Sequence, residues 1–158
     1  MNSDKICTAE FAIDSCTLTY TAGANGTISG NSPQTVDHGS DGSEVTAVAV
    51  ANCHFVSWSD GSTANPRTDT GVTADITVTA NFTIDTHILT YTAGANGSIS
   101  GDSSQTVDHG SDGSAVTAVA AANCHFVSWS DGSTANPRKD TGVTADITVT
   151  ANFAIDTY

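Results

Sequence analysis

The stretch Asp75-Ile76-Thr77-Val78-Thr79-Ala80-Asn81-Phe82 is the clearest secondary-structure signal in the chain. Apolar side chains occupy every second position, and threonine or asparagine fills the positions between them. This period of two is typical of a β-strand with one buried face. The same eight residues recur at 146–153. A strand that is used twice without change indicates that the chain is built from repeats.

The repeat extends over nearly the whole chain. Residues 17–87 and 88–158 align without a gap and differ at only nine positions, which are 17, 27, 31, 33, 44, 50, 68, 83 and 87. Residues 8–14 resemble 79–85 at the same spacing of 71. We therefore interpret 1–16 as the terminal strand of an upstream repeat, 17–87 as one module and 88–158 as the next. We expect a longer array in which neighbouring repeats are partners, and the short connection favours a semi-rigid rod.

The remaining sequence of each module predicts further short strands. Alternating or β-branched segments lie at 17–22, 44–50 and 54–59, and Asn25-Gly26 is typical of a hairpin turn. We predict a mainly β fold of tandem small modules, each a compact antiparallel or mixed sheet with little or no helix. A β-grasp-like fold and a small sandwich both fit, because the alanine-rich segment 44–50 decides between helix and strand.

A single tryptophan in each module is expected to anchor the core. Strict alternation places Phe55 on one face of its strand and Trp58 on the other, so at least one of them is buried. An exposed platform that stacks sugars is the alternative. The expected core comprises Leu18, Tyr20, Ile28, Val36, Val45, Ala47, Phe55, Trp58, Ile76, Val78 and Phe82, with their equivalents, among them Phe126, Trp129 and Phe153.

The charge of the chain limits its partners. It has 17 acidic residues, only 4 lysines and arginines, and a formal net charge of −13. Such a chain repels nucleic acid and anionic membrane surfaces. No apolar run approaches the roughly 18 residues of a spanning helix. We therefore predict no nucleic-acid partner and no membrane insertion.

Residues 53–61, Cys-His-Phe-Val-Ser-Trp-Ser-Asp-Gly, together with Asn65-Pro66 and the terminal segment 72–82, resemble the internalin-type B-repeat. The likeness is greater to its divergent branch, also called the Listeria–Bacteroides repeat, and covers essentially each whole module. The resemblance implies a β-grasp-like fold. It also implies a bacterial secreted or cell-surface protein in which the modules act as stalk or accessory adhesion units, with no catalytic residues.

The near-identity of the modules also argues against catalysis, because an enzyme needs one asymmetric site. We predict no enzyme activity, no catalytic residue and no cofactor. The rival interpretation is a multivalent module that binds a host protein or a glycan, since affinity would then grow with copy number. Near-identical neighbours also favour a strand-swapped dimer.

One polar loop in each module is a candidate for calcium. Asp37 and Asp41, and their equivalents Asp108 and Asp112, supply the hard oxygen ligands that Ca²⁺ prefers. Aspartate and glycine also form turns without a metal. Calcium therefore stays a hypothesis beside the plain turn.

Four cysteines raise the question of a disulfide. Cys53 and Cys124 hold the same place in two modules, and Cys7 and Cys16 would lie roughly 30 Å apart on an extended strand, so neither pair should bond. The hypothesis that remains is a Cys16–Cys53 disulfide. The alternative is that Cys53 and Cys124 are small core residues with free thiols.

Overall fold

The computed structural model describes residues 8–10 and 12–157. It divides into two compact units, Met1–Thr83 and Ile84–Tyr158. The described residues form strands, turns and loops, and they include no helix that is long and apolar enough to cross a bilayer. The expectation of tandem, mainly β modules is confirmed.

Each repeat contains six strands in the same order. Those of the first are β1 (Ser15–Ala22), β2 (Gly26–Ser29), β3 (Gln34–Asp37), β4 (Thr46–Ala49), β5 (Cys53–Trp58) and β6 (Ile76–Ile84). Those of the second are β7 (Thr86–Ala93), β8 (Gly97–Ser100), β9 (Ser104–Asp108), β10 (Thr117–Ala120), β11 (Cys124–Trp129) and β12 (Ile147–Ile155).

Two sheets enclose the core of each repeat. In the first, β3, β1, β6 and β5 form a four-stranded mixed sheet, and β2 pairs with β4. The first strand, β1, runs parallel to the last, β6, and Leu18 lies opposite Ile76. The second repeat has the same arrangement, with Leu89 opposite Ile147. The 71-residue sequence repeat is therefore a structural repeat.

The alanine-rich segment 44–50, whose conformation distinguishes a β-grasp-like fold from a small sandwich, contains strand β4. Within β4, Ala47 is buried and Val48 is 43% exposed, so consecutive side chains point to opposite sides. β4 and β2 therefore form a second, two-stranded layer against the main sheet, as in a small sandwich. The β-branched residues Thr46 and Val48 favour this extended conformation over a helix.

The core contains every residue expected there and three more. Leu18, Tyr20, Val45, Ala47, Trp58 and Val78 are buried, and Ile28, Val36, Phe55, Ile76 and Phe82 pack against them. The additional buried side chains are Cys16, Val72 and Ala80. Val72 comes from a loop without strand periodicity, which explains why the pattern did not reveal it.

The predicted Asn-Gly hairpin is wrong. β1 pairs with β3 and β6, whereas β2 pairs with β4 in the other sheet. Asn25 does adopt a positive φ of 68°, but the chain crosses between the layers at this turn. Gly26 lies directly against the ring of Phe82, where a Cβ would overlap it. The glycine is thus required by close packing of the two layers.

The expected faces of Phe55 and Trp58 also need correction. Their ring centroids lie 5.7 Å apart in one cluster, and those of Phe126 and Trp129 lie 5.8 Å apart. In the second repeat the β11–β12 register shifts between Phe126 and Ser128. This bulge adds one residue to the strand, so aromatic residues three positions apart share a face.

The segment before the first repeat is not a strand where it is described. Residues 8–10 and 12–14 have no assigned strand, and β1 begins at Ser15. Their equivalents within 79–84 belong to β6, which is held between β1 and β5. A strand needs such neighbours for its hydrogen bonds. Residues 1–7 and Phe11 of the predicted 1–16 strand lie outside the described residues.

Candidate functional site

The indole of each repeat is the centre of a buried polar and aromatic assembly. Trp58 ends β5, is 1% exposed, and donates from Nε1 to the Ala64 carbonyl oxygen at 2.8 Å. Tyr20 meets it edge to face, with ring centroids 5.9 Å apart. The Arg67 guanidinium lies over the indole, 5.5 Å from the ring centroid, a cation–π arrangement. Trp58 is therefore inaccessible as a sugar-stacking surface.

Arg67 forms an ion-pair network that we call the arginine cluster, comprising Tyr20, Asp60, Arg67 and Asp69. Its Nε and Nη2 donate to both oxygens of Asp69 at 2.8 and 2.7 Å, and Nη1 donates to Asp60 at 2.7 Å. Tyr20 donates its hydroxyl to Asp69 Oδ2 at 2.7 Å. The second repeat reproduces these distances through Tyr91, Asp131, Arg138 and Asp140.

The electrostatics of the arginine cluster favour a structural role. Hydrogen bonds from Arg67 hold the pKa values of Asp60 and Asp69 below their usual range. Burial, together with the bond to Asp69, raises the pKa of Tyr20. All three groups thus keep their ordinary charge state across neutral pH, and none is prepared for proton transfer.

The loop that carries Arg67 is fastened to the second layer. Asn65 accepts from the Ala47 backbone N–H and donates to the Ala47 carbonyl, both at 2.8 Å. Arg67 and Val45 exchange two backbone hydrogen bonds at 2.8 and 2.9 Å. Among the described residues every buried side-chain nitrogen and oxygen has a hydrogen-bond partner. This loop is therefore braced internally and offers no unsatisfied buried group to a ligand.

Arg67 was not recognised from the sequence. The available signal was the composition, because the chain has only 4 lysines and arginines. Two of them are arginines at equivalent positions, and each is followed two residues later by an aspartate. A rare cation that recurs with its counter-ion is a stronger indication of a buried ion pair than of a solvated charge.

The four calcium candidates do not converge. Asp37 and Asp108 lie in β3 and β9, opposite Ser15 and Thr86. Asp41 and Asp112 each accept a backbone N–H, from Gly71 at 2.8 Å and from Gly142 at 3.0 Å. In the part of the chain that the structure describes, no three His, Cys, Asp or Glu side chains are grouped to hold a metal. Calcium binding stays a prediction with few ligands available in either loop.

These loops are shaped by a buried glutamine instead. Gln34 accepts from the Ser43 N–H at 2.7 Å and donates to the carbonyls of Asn31 and Ser43, both at 2.9 Å. A shallow groove of about 390 Å³ lies over this region, lined by Asn31–Val36 and Ser43. Its walls carry serine and threonine hydroxyls but no histidine, cysteine or carboxylate, so no lining side chain can act as the general base that activates a hydroxyl.

The predicted Cys16–Cys53 disulfide is wrong, because both thiols are free. Leu18, two residues after Cys16, pairs with Ile76 at the start of β6. In the second repeat Cys124, the equivalent of Cys53, pairs with Ile155 at the end of β12. The two positions thus lie at opposite ends of the sheet, about ten residues or roughly 33 Å apart at 3.3 Å per residue, far beyond bonding distance. Cys7 lies outside the described residues.

A histidine pair in the second repeat was also not foreseen. His87 Nε2 lies 2.9 Å from His109 Nδ1, and His87 Nδ1 lies 3.6 Å from Asp146 Oδ1. The equivalents in the first repeat are Cys16, His38 and Asp75. The pair could not be inferred from sequence because it depends on the register of β7 with β9.

Comparison with known proteins agrees with this architecture. The family model for the divergent InlB B-repeat domain matches residues 16–86 and 87–157. A search of curated proteins gives no match. A solved structure of streptococcal high identity repeats in tandem (SHIRT) domains 3–4, from a cell surface protein, shares 14% identity and covers 89% of this chain and 97% of its own. Its TM-score with this chain is 0.34. The two tandem family matches span nearly all of the chain, which therefore belongs to the divergent InlB B-repeat family.

Proposed function

We propose that each repeat is a non-catalytic, load-bearing spacer in a bacterial secreted or cell-surface protein, where an array of such repeats acts as a stalk or accessory adhesion unit. The observation that carries the proposal is the pairing of the first and last strands. Family membership supports it, because B-repeat domains are repeat units.

The first and last strands of a repeat are parallel neighbours. β1 pairs with β6 from Leu18–Ile76 to Ala22–Ala80. The start of β1 and the end of β6 therefore point away from each other along one axis. Tension applied through the chain loads these hydrogen bonds in shear, so they must break together and not one at a time. This geometry resists force better than a pair that unzips.

Side chains reinforce the same strand pair. Thr21 and Thr79 are hydrogen-bonded through their hydroxyls at 2.8 Å, and Thr92 and Thr150 repeat the contact at 2.7 Å. Thr17 donates its backbone N–H to Asp75 at 2.7 Å, beyond the paired segment. The mechanically loaded pair is thus tied on its surface as well as along its backbone.

Single-molecule force measurements test the spacer proposal. Handles at residues 15 and 85 load the β1–β6 pair in shear, whereas handles at 15 and 75, where both strands start, unzip it. We expect a clearly higher unfolding force for the first pair at the same loading rate. In both versions Cys7, Cys53 and Cys124 are replaced by serine, so that these thiols do not react with the handles. Equal forces for the two geometries would refute the proposal.

A multivalent binding module is the second candidate. Val48 and its equivalent Val119 are each 43% exposed, and Val56 and Val127 are 48% and 46% exposed. Repeated exposed valines favour a protein partner over a glycan, because they offer apolar contact area. Host-protein and glycan screens should then show tighter binding by two repeats than by one. The strand-swapped dimer remains a proposal that size-exclusion chromatography with light scattering would test.

A further inference from the structure

The second repeat has two histidine nitrogens placed close enough to bind one metal ion. The first repeat has Cys16 in place of one of these histidines. We propose that His87 Nε2 and His109 Nδ1 together bind one divalent transition-metal ion of the zinc, copper and nickel class. This metal site does not depend on the spacer role of the repeat.

The geometry of the two nitrogens fits a bridging ion. They lie 2.9 Å apart, and the ring centroids are separated by 5.1 Å. A tetrahedral ion with metal–nitrogen bonds of about 2.0–2.1 Å needs its ligand nitrogens about 3.3 Å apart. A small rotation of either side chain supplies the difference. The backbone holds the two residues close together, because Thr86 pairs with Asp108 and the His109 N–H donates to the Asp85 carbonyl at 2.8 Å.

The surroundings of His87 orient its lone pair toward the site. Asp146 Oδ1 is fixed by the Ile88 N–H at 2.9 Å and lies 3.6 Å from His87 Nδ1. A carboxylate in this position favours the proton on Nδ1 and leaves Nε2 free to bind metal. His109 binds through Nδ1 when its own proton is on Nε2, so the neutral rings need only a change of tautomer.

The site provides two protein ligands, and water completes the coordination. No third His, Cys, Asp or Glu among the described residues is grouped with the pair, so the ion is exchangeable and not permanently enclosed. Imidazole ligands suit zinc, copper and nickel, whereas hard calcium prefers oxygen. Binding joins the start of β7 to the residue after β9. It should stabilise the folded second repeat, because the unfolded chain does not hold the rings together.

Calorimetric titration with ZnCl₂ at pH 7.5 tests the site, using the full chain with Cys7, Cys53 and Cys124 replaced by serine to remove competing thiol ligands. We expect one ion per chain and a higher melting temperature with zinc. His87→Gln and His109→Gln should each weaken binding at least tenfold. Asp146→Asn should weaken it about tenfold, as expected for an orienting carboxylate.

The matched control is His125→Gln, since His125 is exposed and bonded to Asp156; zinc affinity should not change. If His87→Gln fails to fold, His109→Gln still tests the site. We expect His109→Gln to fold, because His38, the equivalent of His109 in the first repeat, is exposed. The absence of binding heat, or unchanged affinity in His109→Gln, would overturn the proposal.

Discussion

The two repeats differ mainly at their surface and share most of their interior. Of the nine positions at which the aligned repeats differ, those from 17 to 83 are exposed in the first repeat. Apart from buried Cys16, whose equivalent is His87, the core residues and the arginine cluster are identical, and the hydrogen-bond lengths of the cluster match. The comparison shows which contacts define the fold, because exposed side chains vary without altering the strand register.

One difference shows how the sheet edge tolerates change. Pro33 has no N–H, and in the first repeat the Ser32 hydroxyl accepts from the Tyr20 N–H at 2.8 Å and donates to the Tyr20 carbonyl at 2.7 Å. In the second repeat β9 begins one residue earlier, at Ser104, and the Tyr91 N–H donates to the Ser103 carbonyl at 2.9 Å. Two sequences thus satisfy the same backbone N–H by different means.

The largest expected effect tests whether the repeats are independent. Trp58→Ala removes the buried indole and should destabilise the first repeat by about 3–5 kcal/mol, enough to unfold a module of this size. Trp129 then reports on the second repeat alone, and its fluorescence transition in urea should keep the wild-type midpoint. Circular dichroism follows both repeats. A shift of the Trp129 transition would show that the repeats unfold as one unit.

The second test concerns the arginine cluster. Arg67→Met leaves Asp60 and Asp69 without their common partner and should destabilise the first repeat by about 3 kcal/mol. Arg138→Met should cost the second repeat the same, because its contacts are the same. Urea denaturation of the two variants measures both losses. Unequal losses would mean that the surroundings of the clusters differ in a way that the matching distances do not reveal.

Acid provides an independent measure of the same cluster. Because the folded-state pKa values of Asp60 and Asp69 are lowered, their stabilisation is present above the unfolded value of about 4 and is lost as pH falls through the lowered values. The urea midpoint should therefore fall steeply below about pH 4. Arg67→Met should flatten this dependence for the first repeat. If Arg67→Met left the pH dependence unchanged, groups outside the arginine cluster would be its cause.

A smaller effect is expected from the glycine beneath the aromatic ring. Gly26→Ala introduces a Cβ that overlaps Phe82, and such overpacking costs about 1–3 kcal/mol. The matched change Gly97→Ala, against Phe153, should cost the same in the second repeat. Combining Gly26→Ala with Phe82→Leu should cost less than the sum of the single changes. Additive losses would show that the ring and the glycine do not interact.

The smallest effect is expected from the surface ion pair that only the second repeat has. Lys139 Nζ lies 3.0 Å from Asp112, with both side chains about half exposed. Such pairs contribute little because water and salt screen them. Thr68→Lys in the first repeat and Lys139→Thr in the second should leave the urea midpoints unchanged in 0.15 M salt. A shift in opposite directions would show that the pair matters.

Local periodicity and the near-exact repeat allowed the sequence to specify most of the strands, the central tryptophan and most of the core. These follow from side-chain alternation and from copying, which neighbouring residues alone reveal. The same reasoning failed for the hairpin at Asn25-Gly26 and for the faces of Phe55 and Trp58. A turn residue does not say which sheet receives the next strand, and a bulge shifts the alternation by one residue.

Only the tertiary structure decided which distant side chains meet. Arg67 joins Asp60, Asp69 and Tyr20 because the parallel β1–β6 pair and the braced loop place them around one indole. His87 meets His109 through the β7–β9 register, whereas Cys16 and Cys53 are kept apart by the length of the sheet. Contacts between residues far apart in the chain depend on strand order and register, and neither is encoded in a local pattern.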